Sequence, residues 1–185
     1  MIRLRWLVAA ALLVIGGVGD AAAGFLSPAR NDSPYRGTVV DDETGLPVSG
    51  AVVLAIWERE EEQILRIVNI FYDARETLTA ADGSWTIVAD DIERRAPAKT
   101  WIPLFLVYAP SYQSWGPGSD RATRLSGSEF SSGVTIRLRP ASTREARLSA
   151  MGRMPPLGVP EKKMPNLFRL LNIEWTRLGL DPVGR

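Results

Sequence analysis

The chain has 185 residues, with 22 basic and 21 acidic side chains, no histidine and no cysteine. Without histidine or cysteine, Ser-His-Asp and Cys-His catalysis, the common zinc sites and the two-histidine iron sites are excluded, and no disulfide braces the fold. A net charge of +1 argues against a general binder of nucleic acid or anionic membrane, which needs a basic excess.

Arg3 and Arg5 precede an apolar run from Trp6 to Val18, and Ala21-Ala22-Ala23 follows it. This is the pattern of a secretory signal peptide over residues 1–23, with cleavage before Gly24. The run is shorter than the roughly 20 residues a spanning helix needs. An uncleaved N-terminal membrane anchor is the secondary reading, and no stable span is expected after cleavage. Loss of Arg3, Arg5 and Asp20 would leave acidic and basic residues in balance. The expected location is the periplasm or the cell exterior. Residues 24–34, rich in Ser, Pro, Asn and Asp, read as a linker.

YRGTVVD, from Tyr35, alternates and is rich in β-branched residues, so it reads as a strand. DDETGLPVSG is a cluster of turn formers. Asp41 is expected to bond within the turn, Gly45 to supply a positive φ, Pro47 to fix the returning chain, and Gly50 to let strands approach closely. AVVLAIWE is nearly all apolar, as a strand buried on most of its length should be. EREEEQ is a charged tip, and ILRIVNIFY reads as a further strand on its β-branched and aromatic content. ETLTA and SWTIVA flank a turn at Asp82-Gly83 and read as a hairpin, with Trp85 and Ile87 pointing inward. DDIERRAPAK reads as a polar loop and TWIPLFLVYAP as a strand near a sheet edge, because Pro103 cannot donate to a ladder. Residues 111–131 read as loop, and GVTIRLRP closes the series with clean alternation. About seven strands over residues 35–140 predict a mainly β, antiparallel sandwich.

Residues 141–185 form an extension of different character. STREARLSAM predicts a short helix capped by Ser142 or Thr143, and MPPLGVPEKKMP a proline-rich connector. An amphipathic helix is predicted over about 166–178, with Leu167, Phe168, Leu171, Trp175 and Leu178 on one face. Asn166 is its expected N-cap, Gly179 its C′ residue and Pro182 its stop. Such a face either packs on the chain's own sandwich or seats in a partner's groove.

Two stretches carry a resemblance. GTVVDDETGLPVSGAVV, residues 37–53, resembles the first hairpin of the carboxypeptidase regulatory-like domain family, and ETLTAADGSWTIVA, residues 76–89, resembles its T-x-x-D-G-x-[FW]-x-[IV] signature. The resemblance covers residues 36–139 at most and implies a transthyretin-like, seven-stranded Greek-key sandwich. It departs from the family in the long apolar insert ILRIVNIFYD.

Carboxylates cluster at Asp41-Asp42-Glu43, Glu58–Glu62 and Asp90-Asp91, but none has EF-hand spacing, and the turn role of Asp41 is the leading reading over calcium. Of the aromatics between Trp101 and Trp115, Tyr112 and Trp115 lie in a Gly/Pro/Ser loop, where an exposed ring stacks on a sugar or anchors a partner, or else caps the core. The expectation is an exported, non-enzymatic module acting in protein binding or envelope structure, without cofactor. Its expected partner is an envelope protein or a glycan. A carbohydrate-binding module using Tyr112 and Trp115 is the alternative, and a hydrolase based on loop carboxylates the weaker one.

Overall fold

The computed structural model describes residues 32–182 except 65, 98, 101–102, 117–126, 153, 155 and 157. The expected signal peptide, most of the linker and Trp101 lie outside these residues. Six strands are described: β1 (Tyr35–Asp41), β2 (Val52–Gln63), β3 (Arg66–Leu78), β4 (Ser84–Ile87), β5 (Leu104–Tyr108) and β6 (Val134–Leu138). Four α-helices, α1 (Asp90–Arg95), α2 (Gly127–Ser132), α3 (Arg144–Met151) and α4 (Pro165–Arg177), and a short 3-10 helix, Glu161–Lys163, accompany them among the described residues. The strands form two three-stranded sheets, ordered β4–β1–β6 and β3–β2–β5.

Alternation decides which side chains fill the space between the sheets. Tyr35, Val39, Trp85, Ile87, Ile136 and Leu138 from the first sheet meet Val53, Ala55, Trp57, Phe105 and Val107 from the second. The opposite face of the second sheet is also covered. Val52, Leu54, Ile56, Leu106 and Tyr108 pack beneath Leu167, Leu170 and Leu171 of α4 and Met151 of α3. The molecule is therefore layered sheet, sheet, helix, and β2 lies in the middle. Its unbroken apolar run follows from this, since neither face meets water.

Several expectations are corrected. RIVNIFY, from Arg66, and ETL belong to one strand, β3, which pairs with β2 from Arg66 to Leu78. The polar stretch that resembles a break stays in the strand because its side chains have partners. Asp73 meets Lys163 at 2.6 Å and Arg75 meets Asp91 at 2.9 Å. The Asp82-Gly83 turn does not make a hairpin: β4 pairs with β1, in the other sheet, so the turn carries the chain across the sandwich. The arrangement is not antiparallel throughout, because β1 and β6 run parallel. This is possible because the whole second sheet intervenes in sequence and supplies the crossover. The loop read at 90–99 contains α1, which buries Ile92 and Glu93, and the loop read at 111–131 contains α2, which buries Phe130. Phe130 stacks on Phe105 with ring centroids 3.8 Å apart.

The turn residues are otherwise placed as read. Asp41 accepts from the backbone N–H groups of Glu43 and Thr44, both at 2.8 Å, and Asp82 accepts from that of Ser84 at 2.9 Å. Pro47 bridges to Val40 as the chain returns alongside β1. Gly45 has a φ of 73°. Gly50 differs from its expected role: nothing lies near its missing side chain, and its φ of 71° is what the turn requires.

Gly83 answers to both demands. Its φ is 76°, and a Cβ there would stand 2.5 Å from the carbonyl oxygen of Val39. The same residue's carbonyl accepts from the Val39 N–H at 2.9 Å, so the turn cannot move away without losing that bond. Gly83→Val should lower stability by at least about 2 kcal/mol, from left-handed strain and the clash together. A denaturant or thermal melt checks this, and an unchanged midpoint would refute it.

Candidate functional site

The loop after β5 returns along that strand: Trp115 and Val107 exchange two backbone hydrogen bonds, at 2.7 and 2.9 Å. Its other flank bonds to the end of the first sheet, through Gln113 N–H to the Arg139 carbonyl and Ala141 N–H to the Ser111 carbonyl, both at 2.8 Å. The loop thus bridges β5 and β6 and closes one open side of the sandwich.

This places Tyr112 and Trp115. The Trp115 ring is half-buried and meets Phe130 edge-on at 6.3 Å. The Tyr112 hydroxyl donates to Asp41 Oδ2 at 3.0 Å, joining two residues that the sequence suggested separately. The backbone N–H of Thr44, then the Tyr112 hydroxyl and the Glu43 N–H, hold the Asp41 carboxyl below its usual range against the opposing effect of burial. Burial, reinforced by the Asp41 carboxylate, raises the Tyr112 hydroxyl. Both Asp41 oxygens have partners within the chain, and no group of three or more acidic side chains is arranged to hold a metal among the described residues.

The helical candidates are equally committed. Leu167 and Leu171 are fully buried on the second sheet, and Phe168 and Trp175 are half-buried beside them. The centre of the buried face is Leu167, Leu170, Leu171 and Glu174. Met164, not Asn166, occupies the N-cap, and the cap itself comes from another element. Glu76 on β3 accepts from the Asn166 and Leu167 N–H groups at 2.5 and 3.1 Å. At the other end Gly179, with φ of 71°, closes a Schellman turn in which Leu180 N–H reaches the Trp175 carbonyl. Thr143 caps α3, its hydroxyl accepting from Ala146 N–H at 3.1 Å. No helix among the described residues is long and apolar enough to cross a membrane.

Glu174 is the centre of a polar cluster that periodicity did not reveal. Only 1% exposed, its Oε1 meets Arg147 Nε at 3.4 Å and accepts from Ser111 N–H at 3.2 Å. Arg147 Nη2 donates to Ser111 Oγ at 2.7 Å. Ser111 has a φ of 68°, a left-handed conformation costly for a residue with a side chain. The serine is nevertheless not an activated nucleophile. Its hydroxyl faces a cation, and the carboxylate bonds its backbone rather than its Oγ. The Tyr108 hydroxyl is buried nearby and is driven upward, first by burial and then by the Glu174 charge. The cluster ties α3, α4 and the loop after β5 together.

A second buried carboxyl, Glu93, lies beside Ser33 and Tyr35. Tyr35 donates its hydroxyl to Glu93 of α1, and Ser33 Oγ accepts from Ala89 N–H at 2.8 Å. Residues 32–34, read as the end of a linker, are thus docked on the domain. Burial raises the Glu93 carboxyl above its ordinary value, outweighing the Tyr35 hydrogen bond. The clue for α1 was in the sequence: Asp90 and Asp91 open it and Arg94 and Arg95 close it, as a helix dipole favours. Comparison with models of protein families, with curated proteins and with solved structures gave no match.

Two outcomes are expected. Arg147→Met should destabilise by up to about 3 kcal/mol, since it removes the nearer of the two guanidinium groups facing a buried carboxylate and leaves only Arg177, 4.0 Å from Oε2, and adding Glu174→Gln should recover much of the loss. Equal melting of the single and double variants would refute this. Glu93 has a raised folded-state pKa, so its stabilising contribution is complete below the ordinary value of 4.5 and is lost as pH rises through the folded value. Glu93→Gln keeps an acceptor for Tyr35 and should melt progressively higher relative to wild type as pH rises from mildly acidic to neutral. A difference independent of pH would overturn the assignment.

Proposed function

We propose that this chain is an exported, non-enzymatic β-sandwich module that works by binding protein in the cell envelope. The finer fold reading goes with it: a transthyretin-like Greek-key sandwich resembling the carboxypeptidase regulatory-like domains. One observation carries the proposal. The β2–β3 ribbon outruns the sandwich and ends in apolar side chains left in water, Ile64 wholly exposed and Ile67 62% exposed. Exposed apolar residues on a projecting element suit a protein contact better than a small-molecule cleft. The buried carboxylates Asp41, Glu93 and Glu174 support the non-enzymatic reading, since each is held by groups of its own chain.

The carbohydrate-binding alternative needs Tyr112 and Trp115 to offer open ring faces. Trp115 packs on Phe130 and Tyr112 is tied to Asp41, which favours the protein-binding reading. Crosslinking capture from an envelope fraction should recover a discrete protein, and Ile64→Ser with Ile67→Ser should abolish the capture while leaving the melting point unchanged. Recovery insensitive to those changes would refute the ribbon as the contact. Glycan binding lost in Trp115→Ala would support the alternative, and turnover in a broad substrate screen would overturn both.

A further inference from the structure

The ribbon has a second property, in the strand edge that runs back from its tip. Strand β5 pairs with β2 only from Val52 to Ile56, while β2 and β3 continue pairing to Gln63 and Arg66. Register shifts between Trp57 and Glu58, so that Tyr72 is an extra residue on β3 where the ribbon leaves the sandwich. Such a bulge bends and re-aims a strand. Beyond it, β3 is an edge strand, and no strand pairs with its outer side among the described residues.

Edge strands are ordinarily guarded by Lys, Pro, inward charges or brevity. From Ile67 to Phe71 this edge reads IVNIF, with no charge and no proline. It is the open hydrogen-bonding template that natural folds avoid leaving uncovered. We propose that β3 pairs through this edge with β3 of a second copy of the chain, antiparallel about a twofold axis at Asn69.

The residue order selects this occupant. With Asn69 facing its own copy, Ile67 lies opposite Phe71 and Val68 opposite Ile70, so apolar meets apolar on both faces and amide meets amide at the axis. Directly opposed aliphatic and aromatic side chains are among the favourable cross-strand pairs, and an isologous interface requires such self-complementarity. Charge agrees. The acidic side chains Glu58, Glu60, Glu61 and Glu62 all lie on β2, set back by one strand from the proposed contact. Across the dimer the two β2 strands would stand three strand spacings apart, about 14 Å at ~4.8 Å each. That exceeds the physiological Debye length of about 8 Å, so the acidic rows do not oppose association. A lysine-rich strand is the poorer fit, because the charge nearest this edge is Arg66.

The chain has no cysteine, which makes the test direct. The purified full chain is sized by analytical ultracentrifugation, and Asn69→Cys and Glu61→Cys variants are oxidised gently without any envelope extract. A dimer is expected, with N69C forming a covalent dimer and E61C, on the strand behind the contact, forming at least tenfold less. Ile67→Lys, at an exposed position that leaves the monomer's melting unchanged, should weaken dimerisation at least tenfold. A wild-type chain that stays monomeric at about 100 times the concentration of the assay's detection limit would overturn the proposal. So would a dimer in which N69C and E61C crosslink equally or Ile67→Lys has no effect. Because no partner protein is present, these outcomes are separate from success or failure of the envelope capture.

Discussion

Burial of β2 on both faces organises the rest of the molecule. Val53, Ala55 and Trp57 face the first sheet, and Val52, Leu54 and Ile56 face α4. A strand of this kind cannot lie at the surface of a two-layer sandwich without exposing half of its side chains. Each well-buried aliphatic side chain contributes on the order of 1.5–3 kcal/mol relative to exposure, so leaving the second face open would forfeit several such contributions. The C-terminal helices are accordingly an integral third layer. The extension, read as an appendage of residues 141–185, shares a core with the sandwich.

That third layer explains where polar side chains were placed. The Glu76 side chain reaches out from β3 to cap α4 from outside, in place of the local cap its own sequence lacks. Lys163 reaches Asp73 on the same strand. Glu174 sits in the apolar seam of α4, paired with Arg147 of α3 and with the backbone of Ser111. A buried ion pair adds little net stability over apolar packing. Its directional bonds do, however, set one angle between helix and loop, and the left-handed Ser111 is held by them.

The loop after β5 does for one side of the sandwich what α4 does for its outer face. Bonded to β5 by Trp115 and to the end of β6 by Ser111 and Gln113, it covers two edges at once. Tyr112 extends the seam to the turn of Asp41. The loop's aromatics therefore act first in closing the fold. The β2–β3 ribbon, by contrast, keeps Ile64 and Ile67 in water.

Local chemistry was legible in the sequence wherever the demand on the backbone is local. The turns of Asp41, Gly45 and Asp82-Gly83, the Thr143 cap, the Gly179 terminus and the alternation of β1 and β6 all follow from residues within a few positions of one another. The apolar run of β2 also announced a buried strand, but not that a helix covers its second face. Pairing is decided at long range. The turn at Asp82-Gly83 specifies that the chain reverses, and says nothing of whether β4 returns to β3 or crosses to β1. Glu76 and Asn166 are 90 residues apart, and Ser111 and Glu174 are 63 apart, so no window of sequence contains either bond. Residue periodicity measures the burial of a single element. Which carboxylate is buried, which aromatic is tied down and which strand edge stays open depend on the neighbours that only the folded chain brings into place.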